Sequence, residues 1–363
     1  MKIKVLVVIT TAFVPYGGLT SVMMNYYRAI DKSKIHIDFA STNTEVDRTL
    51  LEELNKNGSE YFGLGNRKKH LIRYITRLNT VLKKKKYDII HINSNSATAG
   101  IELMIAYTRG VEKRIVHNHT SVCDHKILNN IMYPLFRHLY TDAIACSDKA
   151  GKWLFKDKYK VLNNGIDAER YRFNEQMRNE IREKYNISSD TIVVGHLGKI
   201  YKPKNHHFIV EIFDDFYKKH PESRLLLVGD GEMRQEVEAD VKSRGLSKKV
   251  VFAGMQRNTN AYLSAMDVFV FPSIWEGMPL SMIEAQASGL CSLASDTIDK
   301  NVVVTSLVSS LSINNGSYEW TKKIENINFN YRAERSNNAI ESIRAAGFDS
   351  NYNALELEAI YTG

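Results

Sequence analysis

The chain has 363 residues, 44% of them apolar and 25% charged, which is ordinary for a globular protein and enough for two or three domains. No apolar run approaches the roughly 18 residues of a transmembrane helix. Cys123, Cys146 and Cys291 are too few and too scattered for a disulfide framework or a cysteine metal cluster, so a reducing cytoplasm is expected. The net charge of +8 is uneven: residues 1–170 carry 27 Lys and Arg against 16 Asp and Glu, the remainder 22 against 25. A basic first half suits a polyanion, whether nucleic acid, an anionic membrane leaflet or a lipid diphosphate.

In chain order, Ile3 to Ile9 reads as a buried strand. A loop with Gly17-Gly18 follows, and Thr20 or Ser21 is expected to cap a helix over Val22 to Ile30. Ile35 to Ala40 is a second strand and Asp47 to Asn57 a helix. Arg67 to Lys86 is basic and amphipathic, with Leu71, Ile72, Ile75, Leu78, Val81 and Leu82 at helical spacing. Its apolar face either packs on the sheet or lies on an anionic membrane. Tyr87 to Asn93 and Arg114 to Asn118 are strands, the second running into His117-Asn118-His119. The two histidines are expected to face apart, which disfavours a two-histidine metal site, and nothing nearby completes one. Asp142 to Ser147 and Tyr159 to Asn163 close the first set of strands, and residues 168–175 read as a linker.

The second half repeats the alternation. A capped helix at Asn174 to Tyr185 precedes a strand at Thr191 to Leu197, and Gly198-Lys199-Ile200-Tyr201-Lys202-Pro203-Lys204-Asn205 follows it. Two cations in a glycine-bearing loop between strand and helix suit a diphosphate. Arg224 to Val228 ends in Gly229-Asp230-Gly231, and Val250 to Gly254 in Met255-Gln256. Val268 to Phe271 is a buried strand leading to Trp275-Glu276-Gly277-Met278-Pro279-Leu280-Ser281-Met282-Ile283-Glu284. The turn should present backbone N–H groups at a helix N-terminus, which binds anions. Glu276 and Glu284 would repel a phosphate, so they suit the hydroxyls of a ligand whose phosphate sits on the amides, such as a nucleotide sugar. A cap (Glu276) and a solvated helix residue (Glu284) are the plain alternative. Cys291 to Ala294 and Leu307 to Leu311 are strands, Trp320 to Arg335 and Asn338 to Ala346 helices, and the tail a terminal helix.

Glu276 and Glu284, with Gly277, Pro279, Ala285 and Gly289, resemble the E-x7-E signature of family 4 glycosyltransferases, closest to the bacterial capsular and exopolysaccharide branch. Gly17-Gly18, His119, Asn164-Gly165-Ile166-Asp167, Lys204-Asn205 and Gly229-Asp230-Gly231 match further motifs in order. The resemblance implies the GT-B fold: two doubly wound, Rossmann-like α/β domains facing a cleft. It implies an acceptor domain at 1–168, a nucleotide-sugar domain at 169–345, and a helix at 346–363 returning to the first. It implies sugar transfer with retention from a nucleotide-sugar donor, UDP by family habit, to a saccharide or lipid-linked acceptor, with no metal and no cofactor. His119, Glu276, Lys199 and Lys204 take catalytic roles in that reading. Gly17, Gly18, Gly198, Asn205, Gly229, Met255, Gln256, Gly277, Met278, Pro279, Leu280 and Glu284 bind donor. Lys199 departs from the usual arginine, keeping the charge but losing the bidentate fork. Peripheral contact with the inner face of the cell membrane is expected from charge and family. Nucleic acid is not, since clustered aromatic platforms are missing. A sugar-nucleotide epimerase and a non-catalytic partner subunit share the architecture and stand as alternatives.

Overall fold

A computed structural model describes residues 2–15, 17–123 and 125–363. The chain divides into two compact units, one running up to Gly165 and regaining Asp349–Gly363, the other Ile166–Phe348.

The first unit runs β1 (Ile3–Ile9), α1 (Gly18–Ala29), β2 (Ile35–Ser41), α2 (Arg48–Lys56), β3 (Tyr61–Gly63), α3 (Leu71–Lys85), β4 (Ile89–Ser94), α4 (Gly100–Thr108), β5 (Lys113–Asn118), α5 (Lys126–Leu139), β6 (Asp142–Ala145), α6 (Asp148–Leu154) and β7 (Lys160–Val161). Its strands form one sheet in the order β3-β2-β1-β4-β5-β6-β7, with parallel pairing throughout. The order reverses between β1 and β4, so the unit is doubly wound with its switch point at the ends of those strands. Helices cover both faces, which is why β1 is an unbroken apolar run with Val5 to Ile9 fully buried.

The structure corrects one expectation, adds one element and resolves one alternative here. Helix α1 starts at Gly18, with Gly17 at the cap and no side chain capping it. Thr20 is already inside the helix, where its hydroxyl accepts from the Val14 N–H at 3.2 Å. The three-residue edge strand β3 carries too little pattern to be seen in sequence. The stripe of α3 divides: Leu78 and Leu82 are buried with Tyr74, and Ile75 and Val81 pack against that core, whereas Leu71 and Ile72 are exposed. Most of its apolar face therefore belongs to the sheet.

The second unit runs α7 (Glu175–Lys184), β8 (Val193–Leu197), α8 (His206–Lys219), β9 (Arg224–Val228), α9 (Arg234–Ser243), β10 (Val250–Gly254), α10 (Thr259–Ala265), β11 (Val268–Phe271), α11 (Leu280–Ala287), β12 (Cys291–Ser295), β13 (Val308–Leu311), α12 (Ser317–Glu325) and α13 (Arg332–Ala345). Its parallel sheet has the order β10-β9-β8-β11-β12-β13, with the switch point between β8 and β11. The helix expected from Trp320 to Arg335 is broken: residues 326–331 leave it, and Tyr331 is left-handed at φ 63°. Helix α13 starts where Arg332 is buried, its guanidinium donating to the Leu263, Ser264 and Ser288 carbonyls.

The last helix, α14 (Ser350–Thr362), belongs to the first unit. It lies against α1, where the Asp31 N–H donates to Glu358 Oε1 at 2.6 Å, and its Tyr361 hydroxyl meets His91 Nδ1 at 2.6 Å.

Candidate functional site

The switch point of the second sheet collects most of the residues singled out in sequence. The loop after β8 carries Gly198, Lys199 and Lys204; that after β11 carries Glu276, Gly277 and Pro279. The loops are tied together by the Ile274 N–H donating to the Pro203 carbonyl (2.8 Å) and the Asn205 carboxamide donating to that of Pro272 (3.3 Å). Asn205 is left-handed at φ 57°, ψ 48° and begins α8, a conformation asparagine tolerates better than most side chains.

This clamp brings Lys204 Nζ to 2.9 Å from Glu276 Oε1, with the ammonium 4.1 Å from the centre of the Phe271 ring. Burial pulls the Lys204 pKa below its ordinary value and Glu276 opposes it. Lys199 instead reaches outward: it pairs with Glu232 at 2.8 Å, and both side chains are more than half exposed.

Glycines let the loops close. The Gly198 N–H donates to the Val228 carbonyl, and the Ile200 N–H to that of Asp230. A Cβ at Gly229, whose φ is +137°, would stand 2.0 Å from the Gly198 carbonyl oxygen, and one at Gly231 2.2 Å from that of Ile200. Gly277 meets nothing within 4 Å, so its turn is open.

Helix α11 begins at Leu280 with Pro279 at the cap and no side chain capping it, leaving its first amides to an outside acceptor. Met278 and Leu280 are half-buried, whereas Trp275 and Gly277 are exposed. One turn in, Glu284 accepts from the Tyr171 hydroxyl at 2.9 Å. Burial pushes the Glu284 carboxyl up to about 7, opposed by that hydrogen bond and the positive charges of Arg170 and Lys204. Tyr171 lies in the stretch read as a linker; it is in fact a 3-10 turn at Glu169–Tyr171 that places this hydroxyl. The sequence signal was slight: Tyr171 and Phe173 are aromatic residues in a stretch that otherwise reads as a polar connection. Met255 is exposed at the end of β10, and the Gln256 carboxamide donates to the Ala253 carbonyl.

In the first unit, His119 follows β5. Its Nδ1 is 2.8 Å from Asn164 Oδ1 and its Nε2 2.8 Å from Asn93 Oδ1. Burial lowers its pKa to about 4, so the ring is neutral and has one donor and one acceptor nitrogen. Asn93 Nδ2 is buried without a partner. Turning that carboxamide over lets Nδ2 donate to Nε2, while Nδ1–H donates to Asn164. The expectation that His117 and His119 face apart is corrected: residues two apart share a face of a strand, and the rings lie 4.0 Å apart, with His91 stacked beyond His117 at 5.4 Å. Among the described residues no three His, Cys, Asp or Glu side chains form a metal-binding group. Gly17 is tight, since a Cβ there would meet Val14 and Thr20 at 3.1 and 3.3 Å, whereas Gly18 faces open space.

The pattern of the family described as "Glycosyltransferase Family 4" matches residues 16–170, and that described as "Glycosyl transferases group 1" matches residues 177–343. The chain belongs to the family 4 glycosyltransferases, of the GT-B fold. This glycosyltransferase is 27% identical over 359 residues to the EpsF protein of Bacillus subtilis (strain 168), covering 95% of this chain and 93% of that one. It is 27% identical over 250 residues to an Escherichia coli UDP-Gal:alpha-D-GlcNAc-diphosphoundecaprenol alpha-1,3-galactosyltransferase, 64% of each chain being covered. The fold is shared with Anabaena HepE, crystallised with UDP, at a TM-score of 0.78 and 16% identity over the whole of both chains. Sucrose-phosphate synthase from Thermosynechococcus elongatus shares it at 0.73 and 17%, over 99% of this chain and 98% of that one.

Proposed function

We propose that this glycosyltransferase is a retaining enzyme that moves a sugar from a UDP-sugar to a lipid-linked or polysaccharide acceptor during synthesis of a cell-surface glycan. The observation that carries the reading is the Lys204–Glu276 pair at the mouth of α11, one turn from Glu284 and against the glycine-lined loop of β8. A cation, an uncapped helix start and two carboxylates within one unit suit a ligand with a diphosphate between two sets of hydroxyls. The Escherichia coli relative, whose name specifies a UDP-sugar donor and a diphosphoundecaprenol-linked acceptor, and the UDP complex of HepE support the choice of donor and acceptor class.

In this reading the second unit holds the donor. Lys204 and the N–H groups of Gly277, Met278 and Leu280 neutralise the departing diphosphate, joined by Lys199 once it leaves Glu232. Glu284, ionised, accepts from the ribose hydroxyls, and Glu276 from those of the transferred sugar. Gly198 and Gly229 allow close backbone approach, Asn205 fixes the cation-bearing loop, and Met255 and Gln256 meet the base. On the first unit, Gly17 and Gly18 serve the phosphates and acceptor. His119, with both nitrogens engaged, presents its ring edge as a fixed wall that orients the sugar. The anomeric carbon loses its bond to the diphosphate oxygen and gains one to the acceptor oxygen on the same face, and a phosphate oxygen takes the acceptor's proton.

The test is transfer and nucleotide binding together. UDP, GDP and ADP are compared by thermal shift; at about 100-fold over Kd, binding adds about 2.7 kcal/mol of stability. A shift with UDP that is lost in Glu284→Ala, with transfer abolished in Glu276→Ala and Lys204→Ala, is the expected result. Full transfer by both of the last two variants would sink the assignment.

A further inference from the structure

We propose that His196 is a positioning residue for Lys204. The bare Nε2 of its ring faces the lysine from the interior of the second unit, and it gives the ammonium an uncharged acceptor when Glu276 turns away to a sugar hydroxyl. This deepens the function proposed above and rests on it.

His196 lies on β8, two residues before Gly198, and is fully buried. Its ring stacks with those of Phe269 and Phe271 of β11, at centroid distances of 5.9 and 5.6 Å and interplanar angles of 4° and 24°. His206, at the start of α8, is buried too and meets the ring edge-on at 4.8 Å. Packing alone gives no reason for a histidine here, since phenylalanine would fill the same aromatic pocket.

The two ring nitrogens differ. Nδ1 stands 2.8 Å from the Val270 carbonyl oxygen. A carbonyl only accepts, so Nδ1 carries the hydrogen and Nε2 keeps a bare lone pair. Nε2 is buried with no hydrogen-bond partner among the described residues, and an unmet acceptor in a protein interior costs stability. A Cβ built on Gly198 would stand 3.1 Å from Nε2 and 3.2 Å from Lys204 Cε. The lone pair and the lysine therefore flank one point beside Gly198, where even a methyl group would crowd both. They also share Phe271, whose ring stacks with His196 and lies with its centre 4.1 Å from the Lys204 ammonium.

Charge gives the contact its use. Among the described residues Glu276 is the one acid within ion-pair distance of Lys204, and burial already pulls the lysine toward its neutral form. Once Glu276 is drawn to the sugar, the ammonium is buried without a counter-ion and tends to lose its proton. Nε2 is the negative end of a neutral imidazole. It favours the ammonium without repelling a diphosphate, as a second carboxylate would. Burial, His206 and Lys204 in turn hold the His196 ring neutral. The titratable groups facing the pair are Glu276 from the loop after β11, Glu284 from α11 and His206 from α8, with His207 next to His206 and Tyr201 near Glu276. The β11 side chains stacked on the ring are phenylalanines and carry no charge.

The test separates the two nitrogens. A glutamine carboxamide reaches the position of Nε2, an asparagine carboxamide that of Nδ1. His196→Gln therefore keeps the acceptor and loses the bond to Val270, and His196→Asn does the reverse. His196→Phe keeps the stack, removes both nitrogens, and stands in for His196→Asn should that variant fail to fold. UDP binding by the full chain is followed by calorimetry from about pH 7 to 10 in the wild type and in Glu276→Gln, which removes the counter-ion. In the Glu276→Gln background, His196→Asn should move the alkaline loss of affinity down by about one pH unit or more, and His196→Gln should leave it in place. The opposite order, or the same curve for both, overturns the proposal. Urea midpoints need no nucleotide: the loss caused by His196→Asn should be smaller in Lys204→Met than in the wild type, and equal losses overturn the contact. Absence of UDP binding by the wild type would remove the function proposed above, with the urea comparison still deciding whether His196 acts on Lys204.

Discussion

Lys204 and Glu276 face each other at 2.9 Å across two loops, with side chains only 9% and 13% exposed. Removing either leaves the other charged and desolvated, which typically costs about 3 kcal/mol. Lys204→Met and Glu276→Gln should each lower stability in urea titrations, and the double variant should lose clearly less than their sum. Additive losses would mean that the pair is not coupled. Transfer should fall by about a hundredfold or more in Lys204→Met, the scale for removing one group that stabilises developing charge.

Glu284 gives the molecule a pH signature. Its folded pKa is about 7, raised from 4.5 chiefly by burial, so the folded state holds a proton that the unfolded state has released. Stability from this group is present below about 4.5, declines as pH rises and is lost by about 7. Glu284→Gln should therefore match the wild type at low pH and exceed it by about 2 kcal/mol above neutrality. Tyr171→Phe removes a hydrogen bond that favours the carboxylate and should move the transition to higher pH. If Glu284 holds the ribose as proposed above, nucleotide affinity should rise with pH through the same range, since only an ionised carboxyl accepts from two hydroxyls. A pH-independent difference between wild type and Glu284→Gln would refute this account.

The fold was legible where buried parallel strands leave continuous apolar runs: Ile3 to Ile9, Arg224 to Val228, Val250 to Gly254 and Val268 to Phe271. It was least legible where length or tertiary contacts decide. The strand Tyr61–Gly63 is too short to show a period, and the break before α13 depends on carbonyls that Arg332 finds more than forty residues earlier in the chain. In the site, the residue types and loop positions of Lys204, Glu276 and Glu284 were readable. Their partners were not: pairing of Lys204 with Glu276, of Lys199 with Glu232 and of Tyr171 with Glu284 depends on loop contacts that no local pattern encodes.

Glycine requirements separate the loop after β9 from the loop after β11. Gly229→Ala and Gly231→Ala would each drive a Cβ into backbone oxygen, at 2.0 and 2.2 Å. Because the obstacle is backbone, each should cost about 2 kcal/mol or more, and, in the function proposed above, weaken nucleotide binding through the displaced loop at Gly198–Ile200. Gly277→Ala meets no atom within 4 Å and should stay within about 0.5 kcal/mol of the wild type. Denaturation midpoints of the three variants settle the contrast, and equal losses would contradict it.

His119 tests whether the stacked imidazoles of the first unit are held neutral. Burial lowers the pKa of His91 to about 3 and that of His119 to about 4. The unfolded chain takes up these protons near 6.5 and the folded one does not. Their contribution is therefore complete above about 6.5 and is lost as pH falls toward 4. Asn164→Asp would place a carboxylate 2.8 Å from Nδ1, at the position of Asn164 Oδ1. An adjacent negative charge favours the imidazolium, so the His119 pKa should rise by about one unit or more. Nitrogen NMR of the ring should show Nδ1–H and an unprotonated Nε2 in the wild type at neutral pH. In Asn164→Asp, protonation of Nε2 should begin at a higher pH, and the acid-side loss of stability should shrink. Nε2–H in the neutral wild type would overturn the assigned tautomer and reverse the orientation of Asn93.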